Sequence, residues 1–385
     1  MSISQEVFKV ERIVPIQAKR AIENGEPDDT HPDVDDRGFN DPEFGPVVSV
    51  TKGKTVIVRL TRKKLDAAAP LTVISSDTNI FTVADPADGK LPNTADMDVK
   101  ITGVDGGGDK KEAKLRVQFG EKDAAITIFE LNVWVFKPVD VDVTPHRITI
   151  DGGGAKGAKP VADIPKIMAK VQAIWGHYGI NIIVHNTIDK TVSMAAVNGV
   201  NDNPFDGTGE VNKLLTTDHV PKTINAYFVQ QILDADPNFI TLGLGISRKT
   251  AKANGMTNPG IILADGPASL ARGYVMFWAN DLAHEIGHFF TLEHVENAQR
   301  PAEREDSWSR RMLMHVFNEM RNPNPFPDPP SNSKFRPRFI TAGYGAGQNT
   351  GRRGCMVTLK HLKQLKFDAE VITARKVINT KEGPY

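Results

Sequence analysis

The chain has 385 residues, 40% of them apolar, and its 47 basic and 47 acidic side chains cancel to a formal net charge of zero. That length predicts two domains of roughly 100–200 residues each, and the neutral balance removes the global field with which a dedicated nucleic-acid or anionic-membrane binder recruits its partner. Cys355 is the only cysteine. A disulfide framework and a thiolate-rich structural zinc site are thereby excluded, so any metal must be held by histidine and carboxylate.

Residues 1–45 read as an acidic, poorly ordered arm. Within 21–46, nine Asp or Glu stand against one basic residue, Arg37, among turn formers. Residues 1–19 show no uninterrupted apolar stretch of the kind a secretory signal needs, and no run in the chain reaches the length of a membrane span. The expectation is a soluble protein, cytoplasmic or exported by a route that needs no cleavable signal.

From 46 to 145 the grammar changes to short runs rich in Val, Ile and Thr: K-T-V-I-V-R-L-T, M-D-V-K-I-T-G-V and A-A-I-T-I-F-E-L-N-V-W-V-F, separated by D-G-G-G-D and G-E-K-D. Period-2 alternation with β-branched enrichment and regular turn signals predicts an antiparallel β-sandwich. The pattern resembles immunoglobulin-like modules fused to bacterial surface or secreted enzymes. That resemblance implies a targeting role toward a surface, a carbohydrate or another protein.

Residues 146–385 are expected to form an α+β domain. R-I-T-I at 147–150 reads as a strand, and a glycine-rich loop follows. Ile164, Ile167, Met168, Val171, Ile174, Trp175 and Tyr178 then recur at helical spacing. Strand-like segments follow at 180–185, 224–230, 241–247 and 260–264. After them come a histidine-bearing helix, a proline-rich stretch at 321–338 and a last helix over about 358–377.

The chemistry sits in Asp281–His294, D-L-A-H-E-I-G-H-F-F-T-L-E-H. One helical turn separates His284 from His288, so both imidazoles project side by side as one zinc ion requires. Ala279, Leu282, Ala283, Ile286, Phe289 and Phe290 fall roughly opposite and anchor the helix in a core. Glu285 lies about 100° from His284 on the helical wheel, beside the metal position without being forced into it, which suits a general base. The bland alternative is an amphipathic helix with two surface histidines. With ten His in the chain, a chance H-E-x-x-H arises in roughly one to two such sequences per hundred, and a third His at fixed spacing makes coincidence far rarer.

The segment resembles the metzincin clan of zinc peptidases, whose signature is H-E-x-x-H-x-x-G-x-x-H followed by a methionine-containing turn beneath the metal. Spread over 146–385, the resemblance implies Zn2+ as cofactor, ligated by His284, His288 and His294. It also implies Glu285 as catalytic base, Met314 in R-R-M-L-M-H as the turn methionine, and a protein or peptide as substrate. Met312 and Met356 are alternatives for that turn. Thr291 stands where the clan has glycine, the position at which the chain leaves the helix at positive φ and swings the third histidine to the metal. Glu293, beside His294, is the alternative third ligand. Val316 occupies the place of a tyrosine that some families of the clan carry after the Met-turn.

Two rivals are weighed against this reading. D-G-G-G-A-K-G at 151–157 looks like the oxyanion loop of patatin-like lipases, yet the nucleophile elbow G-x-S-x-G occurs nowhere in the chain. A non-enzymatic adhesion or binding protein with a degenerate peptidase domain would be expected to have lost one of His284, Glu285 and His288, and all three are present. His146, His177, His185 and His219 have no partner at ligand spacing and read as structural or exposed.

Overall fold

A computed structural model describes residues 8–13, 22–23, 26–27, 47–104 without 64 and 67, 110–120, 124–152, 160, 162–194, 209–232, 243–264 and 275–292. The strongly acidic stretch 28–46 lies outside the described residues, as do the proline-rich stretch, the last expected helix and Met314.

Alternation builds the first half. The strands are β1 (Phe8–Ile13), β2 (Ile22–Glu23), β3 (Glu26–Pro27), β4 (Val47–Thr51), β5 (Thr55–Arg62), β6 (Leu71–Ser75), β7 (Phe81–Asp85), β8 (Asp96–Gly103), β9 (Lys110–Phe119) and β10 (Ile126–Phe136). Two four-stranded sheets result, in the orders β1-β5-β8-β7 and β4-β10-β9-β6, while β2 and β3 form a hairpin of their own. In β5 every second residue is buried, Val56, Val58 and Leu60 among them. They meet Val99 and Ile101 of β8 and Leu115, Val117, Leu131 and Val133 from the other sheet in one core.

Two expectations need correction here. The arm is not wholly an arm, because β1 pairs antiparallel with β5 from Phe8↔Arg62 to Ile13↔Ile57. The six residues F-K-V-E-R-I carry too short an alternation to stand out beside the acidic stretch. Nor is the sandwich purely antiparallel: β4 runs parallel to β10, from Asn132↔Val47 to Phe136↔Thr51. After β4 the chain turns at Gly53, φ 74°, and crosses into the opposite sheet as β5. A strand that leaves its sheet this way is free to align with either direction of its neighbour.

The second half comprises β11 (Val139–Ile150), α1 (Ile164–Gly176), β12 (Ile180–Val184), β13 (Ile188–Val192), α2 (Glu210–Thr216), β14 (Ile224–Val229), β15 (Gly243–Ile246), α3 (Arg248–Ala253), β16 (Gly260–Ala264) and α4 (Val275–Phe289). Its six-stranded sheet has the order β12-β11-β14-β16-β15, with β13 also on β11. All pairs are parallel except β15–β16. The helices therefore alternate with a mostly parallel sheet instead of segregating from it, and β14 and β16 are buried along their whole length as parallel strands covered on both faces must be.

β11 runs straight through the expected junction at 145–146. Pro145 reads as a break because it has no N–H to donate. Here β12 covers 139–143 and β13 covers 146–150, so Pro145 falls in the gap between two partners. The odd residues Val139, Val141 and Val143 pack with α1 and α4, and the even residues Ile148 and Ile150 pack on the other face with α2 residues Val211, Leu214 and Leu215.

Only Lys137 and Pro138 separate β10 from β11. Trp134 and Phe136 of β10 enter the core of the six-stranded sheet, and the hydroxyls of Ser49 and Thr51 on β4 donate to the carbonyls of His177 and Gly176 at the end of α1, at 3.2 and 3.1 Å. Those are carbonyls a helix end leaves unpaired. Among the described residues no helix is long and apolar enough to cross a membrane.

Candidate metal centre

α4 forms where the 3.6-residue pattern places it. Ala279, Leu282, Ala283, Ile286, Phe289 and Phe290 are buried against α1 and the sheet, and the Phe290 ring meets Trp175 edge-on at 5.4 Å. The side of the helix away from that core is largely covered as well, with His288 half-buried. His284 is 1% exposed and Glu285 6%, with Asn280 and Asp281 equally buried. Strand β15 lies against this side, close enough that Gly243 and Gly245 approach Glu285 with no room for a side chain.

The two imidazoles meet edge to face, with ring centroids 4.6 Å apart and planes at 87°. His288 Nδ1 lies 2.8 Å from the carbonyl oxygen of Leu292. A carbonyl can only accept, so Nδ1 carries a proton, and in the neutral ring Nε2 carries the lone pair. That tautomer offers Nε2 to a metal, and it is held by the kind of backbone contact that orients such ligands.

Thr291 makes this contact available. Its φ is 68°, the left-handed conformation expected at this position despite the β-branched side chain. Thr291 N–H donates to His288 C=O and Leu292 N–H to Gly287 C=O, both at 2.9 Å. This bond pair is the Schellman closure of a helix, with Thr291 in the place glycine usually takes. Leu292, just past the turn, drops into the core beside Ile286, and its carbonyl is thereby presented to His288.

His294, Glu293 and Met314 lie outside the described residues, as do Met312, Met356, Val316 and Cys355. Among the described residues no group of three or more His, Cys, Asp or Glu gathers as a metal-binding cluster. What the structure brings together is the His284–His288 pair, with the Glu285 carboxylate beside β15 and with Thr291 and Leu292 at the helix exit. The last two contacts and the glycine pair have no place in a motif search. The sequence signal that could have found the pair is the alternation L-G-L-G at 242–245, which strips one face of a strand of side chains.

Other described histidines make contacts of their own. His146 is fully buried, its Nε2 2.8 Å from Asn225 Oδ1 and its ring stacked on Tyr227 at 4.4 Å. Burial holds its pKa below the ordinary value, reinforced by His219 and opposed by the Asn225 bond and Asp218. His185 Nε2 lies 2.8 Å from Asp142 Oδ1. Of D-G-G-G-A-K-G, only Asp151 and Gly152 are described, and a side chain on Gly152 would strike the Met194 carbonyl at 2.6 Å, so its absence serves chain packing.

No protein-family profile matches the chain, and no curated protein does. Among solved structures it is similar to SSP-19, an MSP-domain protein-like family member of Caenorhabditis elegans. That match has 22% identity over 23% of this chain and 92% of the other, with a TM-score of 0.17. It is also similar to a family 123 glycoside hydrolase from Clostridium perfringens, with 10% identity over 26% of this chain, 25% of that one and a TM-score of 0.16. Similarities at these scores carry no inference about fold or activity.

Proposed function

We propose that the chain is a zinc-dependent endopeptidase of metzincin type, with His284, His288 and His294 holding the metal and Glu285 serving as general base. The observation that carries this reading is the His284–His288 pair, one turn apart on α4 with rings 4.6 Å apart, together with the Nδ1 contact that leaves the metal-binding lone pair on Nε2 of His288. The donors fit zinc, which accepts imidazole nitrogen and needs no thiolate. When bound, zinc lowers the pKa of a coordinated water and polarises the substrate carbonyl.

The protein's own residues supply the rest. Glu285, buried beside the pair, takes a proton from the attacking water and returns it to the leaving amine. β15 pairs only with β16 among the described strands, and it lies beside Glu285. An extended peptide pairing along such an edge would present its carbonyls to the site.

Glu285→Gln is the test. Zinc content should stay near one per chain, while hydrolysis of denatured casein falls by about 100-fold or more. Retained hydrolysis would remove Glu285 as the base, and loss of the metal would make it a ligand instead.

A further inference from the structure

Gly243 and Gly245 occupy alternate positions on β15 and so share one face of the strand. That face meets Glu285. A methyl group at Gly243 would lie 2.7 Å from Glu285 Cγ, 2.8 Å from Oε1 and 2.9 Å from Cδ. A methyl at Gly245 would lie 2.7 Å from the main-chain oxygen of Glu285, 2.9 Å from Oε2 and 3.0 Å from His288 Cβ. Neither glycine has a positive φ, so backbone freedom does not call for glycine at either position. What calls for it is the space the carboxylate fills.

We infer that the glycine pair is a positioning device for the Glu285 carboxylate, one glycine setting the place of each oxygen. The catalytic role given to Glu285 rests on the peptidase reading; the contact itself does not. Leu244, between the glycines, packs toward the opposite core, and the register Gly243↔Leu263 to Ile246↔Gly260 fixes β15 on β16. The strand therefore cannot rotate its bare face away. The two glycines differ in what lies nearest: the three atoms closest to a methyl at Gly243 all belong to the Glu285 side chain, whereas the closest to one at Gly245 is the Glu285 main-chain oxygen, which cannot move without α4.

This difference supplies the experiment. Full-length Gly243→Ala, Gly245→Ala, Glu285→Ala and both glycine variants in the Glu285→Ala background are compared by thermal melting without added metal. The single glycine variants and the unsubstituted chain are also compared by zinc content and by kcat and KM on denatured casein. In the chain carrying Glu285, Gly243→Ala should lower the melting temperature by about 3 °C or more. In the Glu285→Ala background, where the three obstructing atoms are gone, that loss should vanish. The loss caused by Gly245→Ala should persist in both backgrounds. Gly243→Ala should keep its zinc and its KM while kcat falls by about tenfold or more.

An equal melting loss for Gly243→Ala in both backgrounds would overturn the inference, as would an unchanged kcat. If the unsubstituted, zinc-loaded chain cleaves no casein, the peptidase reading fails on its own. The melting comparison then still decides whether Gly243 places the Glu285 carboxylate.

Discussion

At Thr291 a β-branched residue holds φ at 68°, a conformation that costs an L-residue roughly 1–2 kcal/mol. Its side chain is exposed, so nothing in the core depends on it. Thr291→Gly should remove the strain, less the greater freedom glycine gains on unfolding, for a net stabilisation of about 0.5–1 kcal/mol. Equal or lower stability in denaturant melts would show that the turn is not strained. The same turn bears on the proposed third ligand. A helix continued past Phe290 would place Glu293 near 180° from His284, whereas the chain leaves the helix at Thr291, which favours the histidine spacing. His294→Ala should therefore weaken zinc affinity by about two orders of magnitude or more, and Glu293→Ala should leave it. Titration with a zinc-competing dye measures both, and the reverse pattern would move the site away from the metzincin arrangement.

Among the elements, His146 on β11 and His219 in the connection before β14 both have a lowered pKa. His146 on β11 is buried against Asn225 and Tyr227 of β14, and its Nδ1 is buried without a hydrogen-bond partner among the described residues. Burial, and after it the Arg248 charge, likewise lowers the pKa of His219, against a bond to the Leu215 backbone. Asp218 is the acid that acts on His146, and Lys190 pairs with that acid at 3.1 Å. In the unfolded chain both histidines take a proton near 6.5, while the native state resists it. Below that pH the unfolded state binds more protons, so the contribution to stability is complete above about pH 6.5 and declines as pH falls. The melting temperature should drop between pH 7.5 and 5.5, and His146→Gln should flatten the drop. Parallel profiles for the two proteins would remove His146 as its source.

For the whole molecule, the sandwich is built into the second half of the chain. Phe136 belongs to the last strand of one sheet, yet its ring sits in the core over which α1 and α4 pack. Gly179, φ 78°, lets the chain return from α1 so closely that a side chain there would strike the Lys137 carbonyl at 2.9 Å. Phe136→Ala should cost about 3–5 kcal/mol, and calorimetry should show both halves shifting together in one transition. A transition of the sandwich that moves alone would show that the halves fold independently.

What was legible in the sequence is what local periodicity encodes. H-E-x-x-H has meaning only on a helix, and the spacing of Leu282, Ile286 and Phe289 put it on one. β16 at 260–264 and the start of α1 at Ile164 follow from runs and spacing in the same way, whereas the left-handed exit at Thr291 runs against what a β-branched residue prefers and is seen only in the fold. Long-range pairing has no such signature. A period tells which side of an element is apolar and says nothing about what will cover the other side. The burial of His284 and Glu285, the place of β1 on β5, the parallel run of β4 along β10 and the passage of β11 through Pro145 were therefore decided only in the tertiary structure, where residues far apart in the chain compete for the same hydrogen bonds and the same space.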